Sequence, residues 1–131
     1  MRVVFDSNIF ISALTLPGGK GDAAVLRVID GKDTLIISRE IIDEVLTVLA
    51  KKFSKDAEAL SRVAVNLVGI GEIVRPSEWL KVFDGDSDNR ILECAVAGNA
   101  EAIVTGDKAM LMLRKYRHVR IISLTGFLRR G

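Results

Sequence analysis

The chain has 131 residues, 49% of them apolar and 27% charged, with a formal charge of +2 and a pI near 8.8. That profile reads as one domain over residues 1–131 with a sizeable core, and excludes both a disordered chain and a strongly basic nucleic-acid coat. The single Cys94 excludes an internal disulfide and fits a reducing cytoplasm; no apolar run approaches the roughly 20 residues of a bilayer span, and the acid at position 6 cuts short any leader-like opening.

Val3, Val4 and Phe5 form a short apolar run that predicts a buried strand near 2–5, stopped by Asp6, Ser7 and Asn8. A helix is expected over 7–14, capped by Asp6 or Ser7. Pro17 and the glycines at 18, 19 and 21 then make a loop, which is no phosphate-binding P-loop because Asp22 stands where Ser or Thr is needed. A helix over 22–30 places Ala23, Leu26 and Ile29 on one face. A second buried strand follows at 34–37, and Ser38 caps a helix reaching to about 53, striped with Ile41, Ile42, Val45, Leu46, Val48 and Leu49.

A further helix over 54–70 turns Ala57, Leu60, Ala64, Leu67 and Val68 inward and Lys55, Glu58 and Arg62 outward. Residues 72–74 make a short strand, ended by Pro76. Trp79, Val82 and Phe83 are expected on a small helical turn packed against the core. The acidic loop from Asp84 runs into a helix over 87–97, with Ile91, Leu92, Ala95 and Val96 buried and Gly98 in the left-handed position after it. A strand at 102–105 ends in Gly106-Asp107, a helix covers 108–116, a last strand covers 119–122, and Ser123 caps a closing turn. Strands and helices alternate throughout, which is the pattern of a doubly wound α/β fold with a parallel sheet.

The chemistry rests on carboxylates. Asp6 and Asp107 each follow a buried strand directly, so neighbouring strands would present both acids to one crevice at the carboxyl edge of the sheet. Asp88 stands in the first turn of the helix before the second of those strands. Glu44 lies one turn past Glu40, at the edge of its helix's apolar stripe. Taken singly, each acid has an ordinary reading: Asp6 and Asp107 as helix caps, Asp88 with Asp84 and Asp86 as turn residues, Glu44 in a surface ion pair. Together they would repel one another and call for a hard divalent cation, Mg²⁺ or Mn²⁺, with water completing the octahedron. Two such ions about 3.5–4 Å apart are a known device for cleaving a phosphodiester. Asn8 and Thr105 are placed to orient ligands or water. Zinc is not indicated, because Cys94 and His118 are each alone.

Four stretches then carry a resemblance: Val3-Val4-Phe5-Asp6-Ser7-Asn8; Ser38-Arg39-Glu40-Ile41-Ile42-Asp43-Glu44-Val45-Leu46; Asp86-Ser87-Asp88-Asn89-Arg90-Ile91-Leu92-Glu93-Cys94-Ala95; and Ala102-Ile103-Val104-Thr105-Gly106-Asp107-Lys108. In this order and spacing, over nearly the whole chain, it resembles PIN-domain proteins of the kind found as VapC-like toxins of toxin–antitoxin pairs. The resemblance implies a three-layer doubly wound parallel sheet of about five strands in the order 3-2-1-4-5. It also implies Mg²⁺- or Mn²⁺-dependent endoribonuclease activity leaving 5′-phosphate and 3′-hydroxyl ends, an antitoxin partner, and a homodimer or higher homo-oligomer in the cytoplasm. Carried over, the catalytic and metal-binding acids fall on Asp6, Glu44, Asp88 and Asp107, with Asn8 and Thr105 as polar helpers and Asp86 as an extra acid.

Lys108 and Arg90 each adjoin an acid and are the candidates for phosphate contact. The other cations (Arg114, Lys115, Arg117, His118 and Arg120, with Lys51, Lys52 and Lys55) read mainly as solvated surface. Trp79 and Phe83 read as core rather than base-stacking platforms; Met110, Leu111 and Leu113 read as core or dimer surface. The rival reading is a catalytically idle PIN scaffold that binds RNA or a protein partner. A phospho-acceptor receiver domain fits poorly, since Ser38 and Ser123 stand where it needs an aspartate and a lysine. An Asp-x-Asp phosphatase is excluded by Asn8.

Overall fold

The structure, a computed structural model, describes residues 1–130. Its elements run β1 (Arg2–Phe5), α1 (Ser7–Thr15), α2 (Lys20–Ile29), β2 (Thr34–Ser38), α3 (Arg39–Lys52), α4 (Ala57–Ile70) and β3 (Gly71–Val74). Then follow α5 (Asp86–Ala97), β4 (Ala102–Thr105), α6 (Lys108–Leu113), β5 (Lys115–Tyr116), β6 (Val119–Ser123) and α7 (Leu124–Leu128). The sheet order is β3-β2-β1-β4-β6-β5, parallel except for the β5–β6 pair at the edge.

Burial explains the architecture. All of β4 and all but the first residue of β1 are buried, so both faces of the sheet's centre are covered, as a parallel sheet requires. From β1 the chain first steps one way, through β2 to β3, then returns to β4 on β1's other side. The direction reverses between β1 and β4, and that is the crevice where such sheets bind ligands. Strand ends at this edge double as helix caps. Asp6 Oδ1 accepts from Asn8 N at 3.1 Å, Ser38 Oγ from Ile41 N at 3.4 Å, and Asp107 Oδ1 from Met110 N at 3.0 Å. One polar residue thus stops each strand and starts the next helix.

Several expectations need correction. The helix expected over 108–116 ends at Leu113. Arg114 turns left-handed (φ +64°), and Lys115 and Tyr116 pair antiparallel with Arg120 and Val119, because β6 offers an open edge. The expected parallel order 3-2-1-4-5 is met with β6 as its fifth strand, and β5 is an addition. Helix α2 begins at Lys20 and buries Gly21, Ala24 and Val28, leaving Leu26 and Ile29 exposed. The cause is close approach: a Cβ on Gly21 would sit 2.8 Å from Ile9 O and 3.0 Å from Ala13 N, so the small face of α2 lies against α1.

Gly98 is not the left-handed residue after α5; Asn99 is, at φ +54°. Glycine serves at 98 because a Cβ there would collide with Ile36 Cγ2. Helix α4 buries only Leu67 and leaves Val68 exposed. Residues 75–82 form no helical turn, and Trp79 lies 76% exposed while Leu80 takes the buried place.

Candidate active site

Asp6 leaves β1 at the crevice and is 6% exposed. Its Oδ2 accepts the Thr105 hydroxyl at 2.7 Å, and the same Thr105 Oγ1 accepts the Asp107 backbone N–H at 3.0 Å. The backbone joins the same two strand ends, with Asp6 N donating to Val104 O at 3.0 Å. One buried hydroxyl therefore fixes the spacing of the two strand-end acids. From α3, Glu44 comes forward and its Oε2 accepts the Ser7 hydroxyl at 2.6 Å.

Asp88 enters from the first turn of α5. Burial pushes its carboxyl up to about 6, and the charges of Asp107, Asp6 and Glu44 push in the same direction. That influence puts all four acids in one neighbourhood. None of them forms an ion pair with a lysine or arginine among the described residues.

Asp86 is exposed at the rim, in a small cleft of about 200 Å³ that it shares with Glu40, Ile41, Glu44, Ser87 and Arg90. Asn8 and Lys108 are exposed beside Asp6 and Asp107 respectively. Arg90 lines the cleft but does not bond the acids. Its Nη2 donates to Glu93 Oε2 at 3.0 Å and to Leu80 O at 3.2 Å. Its Nε lies 2.9 Å from Glu93 Oε1 at an angle too poor for a hydrogen bond, so that contact is one of charge only.

Sequence reasoning missed three supports. Ser7, taken only as a cap, holds Glu44. Asn89, nearly fully buried, accepts from Val82 N and Phe83 N at 2.9 and 2.8 Å and donates to Phe83 O and Gly85 O at 2.8 and 3.1 Å. It thereby locks the acidic loop onto α5. Glu93, 5% exposed, accepts from Leu80 N at 2.7 Å. Asn and Glu at 89 and 93 lie one turn apart on α5, the one signal that points to them as a pair.

The donor set was tested for a hard divalent cation. In favour stand four carboxylates without cationic partners, one of them with a raised pKa, and all-oxygen chemistry. As placed, Asp6 and Glu44 turn oxygens to hydroxyls, and no three His, Cys, Asp or Glu side chains among the described residues form a ready-made cage. The charge and donor types fit such an ion; small side-chain rotations would be needed to clasp it. Cys94 offers no thiolate, since burial pushes its thiol up to about 12.

Comparison with known proteins followed. A family model described as PIN domain matches residues 2–109. An uncharacterized protein of Methanocaldococcus jannaschii is 27% identical over 131 residues, covering 95% of this chain and 84% of the relative. Two solved complexes contain chains of similar fold. One is VapBC2 from Rickettsia felis, bound to a DNA fragment from its promoter: TM-score 0.65, 17% identity, 94% of this chain and 98% of that one. The other is VapBC-1 from nontypeable Haemophilus influenzae: TM-score 0.64, 16% identity, 95% and 99%. At these identities the two structures speak to the fold.

Proposed function

The chain belongs to the PIN-domain family, and from that premise we propose that it is a metal-dependent endoribonuclease, the toxin member of a toxin–antitoxin pair. The observation that carries this reading is the meeting of Asp6, Glu44, Asp88 and Asp107 at the sheet's switch point, without cationic partners and with Asp88 pushed up to about 6. Asp6, Asp88, Asp107 and Glu44 would hold Mg²⁺ or Mn²⁺. When bound, such an ion supplies charge stabilisation at the scissile phosphate and a water of lowered pKa.

The chain's own residues do the positioning. Thr105 holds Asp6 by its hydroxyl and the Asp107 backbone by its oxygen, so the two strand-end carboxylates keep one separation. Ser7 holds one Glu44 oxygen and leaves the other free. Asn89 fixes the loop that delivers Asp86 and Asp88. Lys108 and Asn8, exposed at the rim, are placed to meet the phosphate backbone. Asp6→Asn should abolish Mn²⁺-dependent cleavage of RNA by the purified protein. Full retention would move the active site elsewhere.

An antitoxin has a place to dock. A groove of about 600 Å³ between α1, α2 and α4 is lined by Phe10, Leu14, Val25, Ile29, Val65 and Leu67 among others, and Leu14, Ile29 and Val65 expose their side chains there. An amphipathic helix of a partner would cover these residues. The exposed apolar Met112 suits a contact between copies of the chain. No helix among the described residues is long and apolar enough to cross a membrane, and a cytoplasmic site of action belongs to the same proposal. The lack of a ready-made ligand trio favours the rival, a catalytically idle scaffold that binds RNA or a protein. The same cleavage assay separates the two: no metal-dependent cleavage by wild type would select the scaffold.

A further inference from the structure

Trp79 is the chain's single tryptophan, and its indole is 76% exposed. Arg90 covers one face, with its guanidinium carbon 3.4 Å from a ring centroid of the indole. Arg90 is itself held from behind by Glu93 and the Leu80 carbonyl. The neighbouring backbone is pinned as well, with Leu80 N on Glu93 and Val82 N and Phe83 N on Asn89. This exposed aromatic therefore sits on a fixed platform rather than a loose loop. Its outer side is open.

Position ties the platform to the acids. The segment carrying Trp79 leaves β3 at Val74, which pairs with Ser38 at the carboxyl edge of the sheet. Arg90, beneath the indole, also lines the cleft with Glu44 and Asp86. A second cleft beside it, lined by Arg39, Glu40, Arg75 and Pro76, shares Glu40 with the first and adds two cations. From the acids to the indole the surface thus alternates clefts and guanidinium groups, the arrangement that tracks a single-stranded phosphate backbone beside a stacking ring.

We infer that Trp79, backed by Arg90, is a base-stacking subsite for the single-stranded RNA that enters the acidic cleft. The inference rests on the nuclease reading above and adds a contact for a base flanking the scissile phosphate. RNA is favoured over a protein partner by the surroundings. Arg75, Ser77, Glu78 and Lys81 around the indole are polar and exposed, so it stands alone rather than in the apolar patch a protein contact needs. A nucleobase needs only one ring face, with cations nearby.

The test uses Trp79 fluorescence in the full chain, in the Asp6→Asn background with Mg²⁺. It is titrated with a single-stranded oligoribonucleotide of about eight nucleotides and with a duplex of the same sequence. The single strand should quench the fluorescence, and the duplex should not. Measured by anisotropy of labelled RNA, Trp79→Ala should weaken single-strand binding roughly tenfold or more, the loss expected for one stacked base, and Trp79→Phe should restore most of it. With Asp6 restored, Trp79→Ala should raise KM and leave kcat near wild type. Equal affinities for wild type and Trp79→Ala, with cleavage intact, overturn the subsite and leave the nuclease standing. Absence of both RNA binding and cleavage in wild type overturns both. Quenching by a co-purified protein but not by RNA overturns the subsite in favour of a protein contact.

Discussion

Replacing Asp88 with asparagine should make the metal-free protein more stable, although it removes a proposed metal ligand. In the folded chain the Asp88 carboxyl rises from its ordinary 3.8 to about 6, first through burial and then through Asp107, Asp6 and Glu44. For a fully buried group that difference would be worth about 3 kcal/mol. Asp88 is partly exposed, and solvent screening brings the figure to about 1.5 kcal/mol. Losing a negative charge in the first turn of α5 costs about 0.5 kcal/mol, leaving a net gain near 1 kcal/mol, or about 3–4 °C in Tm for a chain of this size. The sign follows from proton counting. Between pH 4 and 6 the folded state holds the proton that the unfolded state has lost, so wild type loses this stability as pH rises. The variant has no such proton, so its advantage should be absent near pH 4 and complete above pH 6. Thermal melts in chelator across that range measure it. Adding Mg²⁺ or Mn²⁺ should then raise the wild-type Tm and move the variant's much less. A variant that melts at or below wild type at pH 7 in chelator, with no pH dependence in the difference, would refute the shared-repulsion argument.

Thr105→Val removes the hydroxyl between Asp6 and the Asp107 backbone. Cleavage should fall about 10- to 100-fold, and urea melts should show a loss of about 1–2 kcal/mol. Asp33→Asn acts far from the acids. Asp33 is buried and bonded to Arg27 at 2.7 Å, to Arg130 at 2.9 Å and to the Met1 amino group at 3.1 Å. Burial works to raise its pKa, but the hydrogen bonds from Arg27, the amino group and Arg130 outweigh it and hold the carboxyl below its ordinary value. The substitution should cost about 3–5 kcal/mol in denaturant titrations at neutral pH. Its pH sign is opposite to that of Asp88: the wild-type stability from Asp33 is present above about pH 4 and lost as pH falls through the depressed folded value, so the gap between wild type and variant should close in acid.

The residues themselves determined the alternation of strand and helix, the caps at Asp6, Ser38 and Asp107, and the choice of acids, because these depend on neighbours within a turn or a strand. Val3-Val4-Phe5 followed by Asp6 is legible as strand and cap without any other part of the chain. Tertiary structure decided whatever depends on which surface meets which. The buried face of α2 was set by how closely Gly21 approaches α1, and Gly98 was required by Ile36 sixty-two positions away. The edge of β6 converted the end of an expected helix into β5. Trp79, apolar by type, was left in water because Leu80 took the core and Arg90 the underside of the ring. The hydroxyl of Thr105 finds Asp6 only because parallel pairing sets β4 against β1. Local propensity acts over a few residues, whereas close packing and charge proximity are properties of distances that exist only once the sheet has formed.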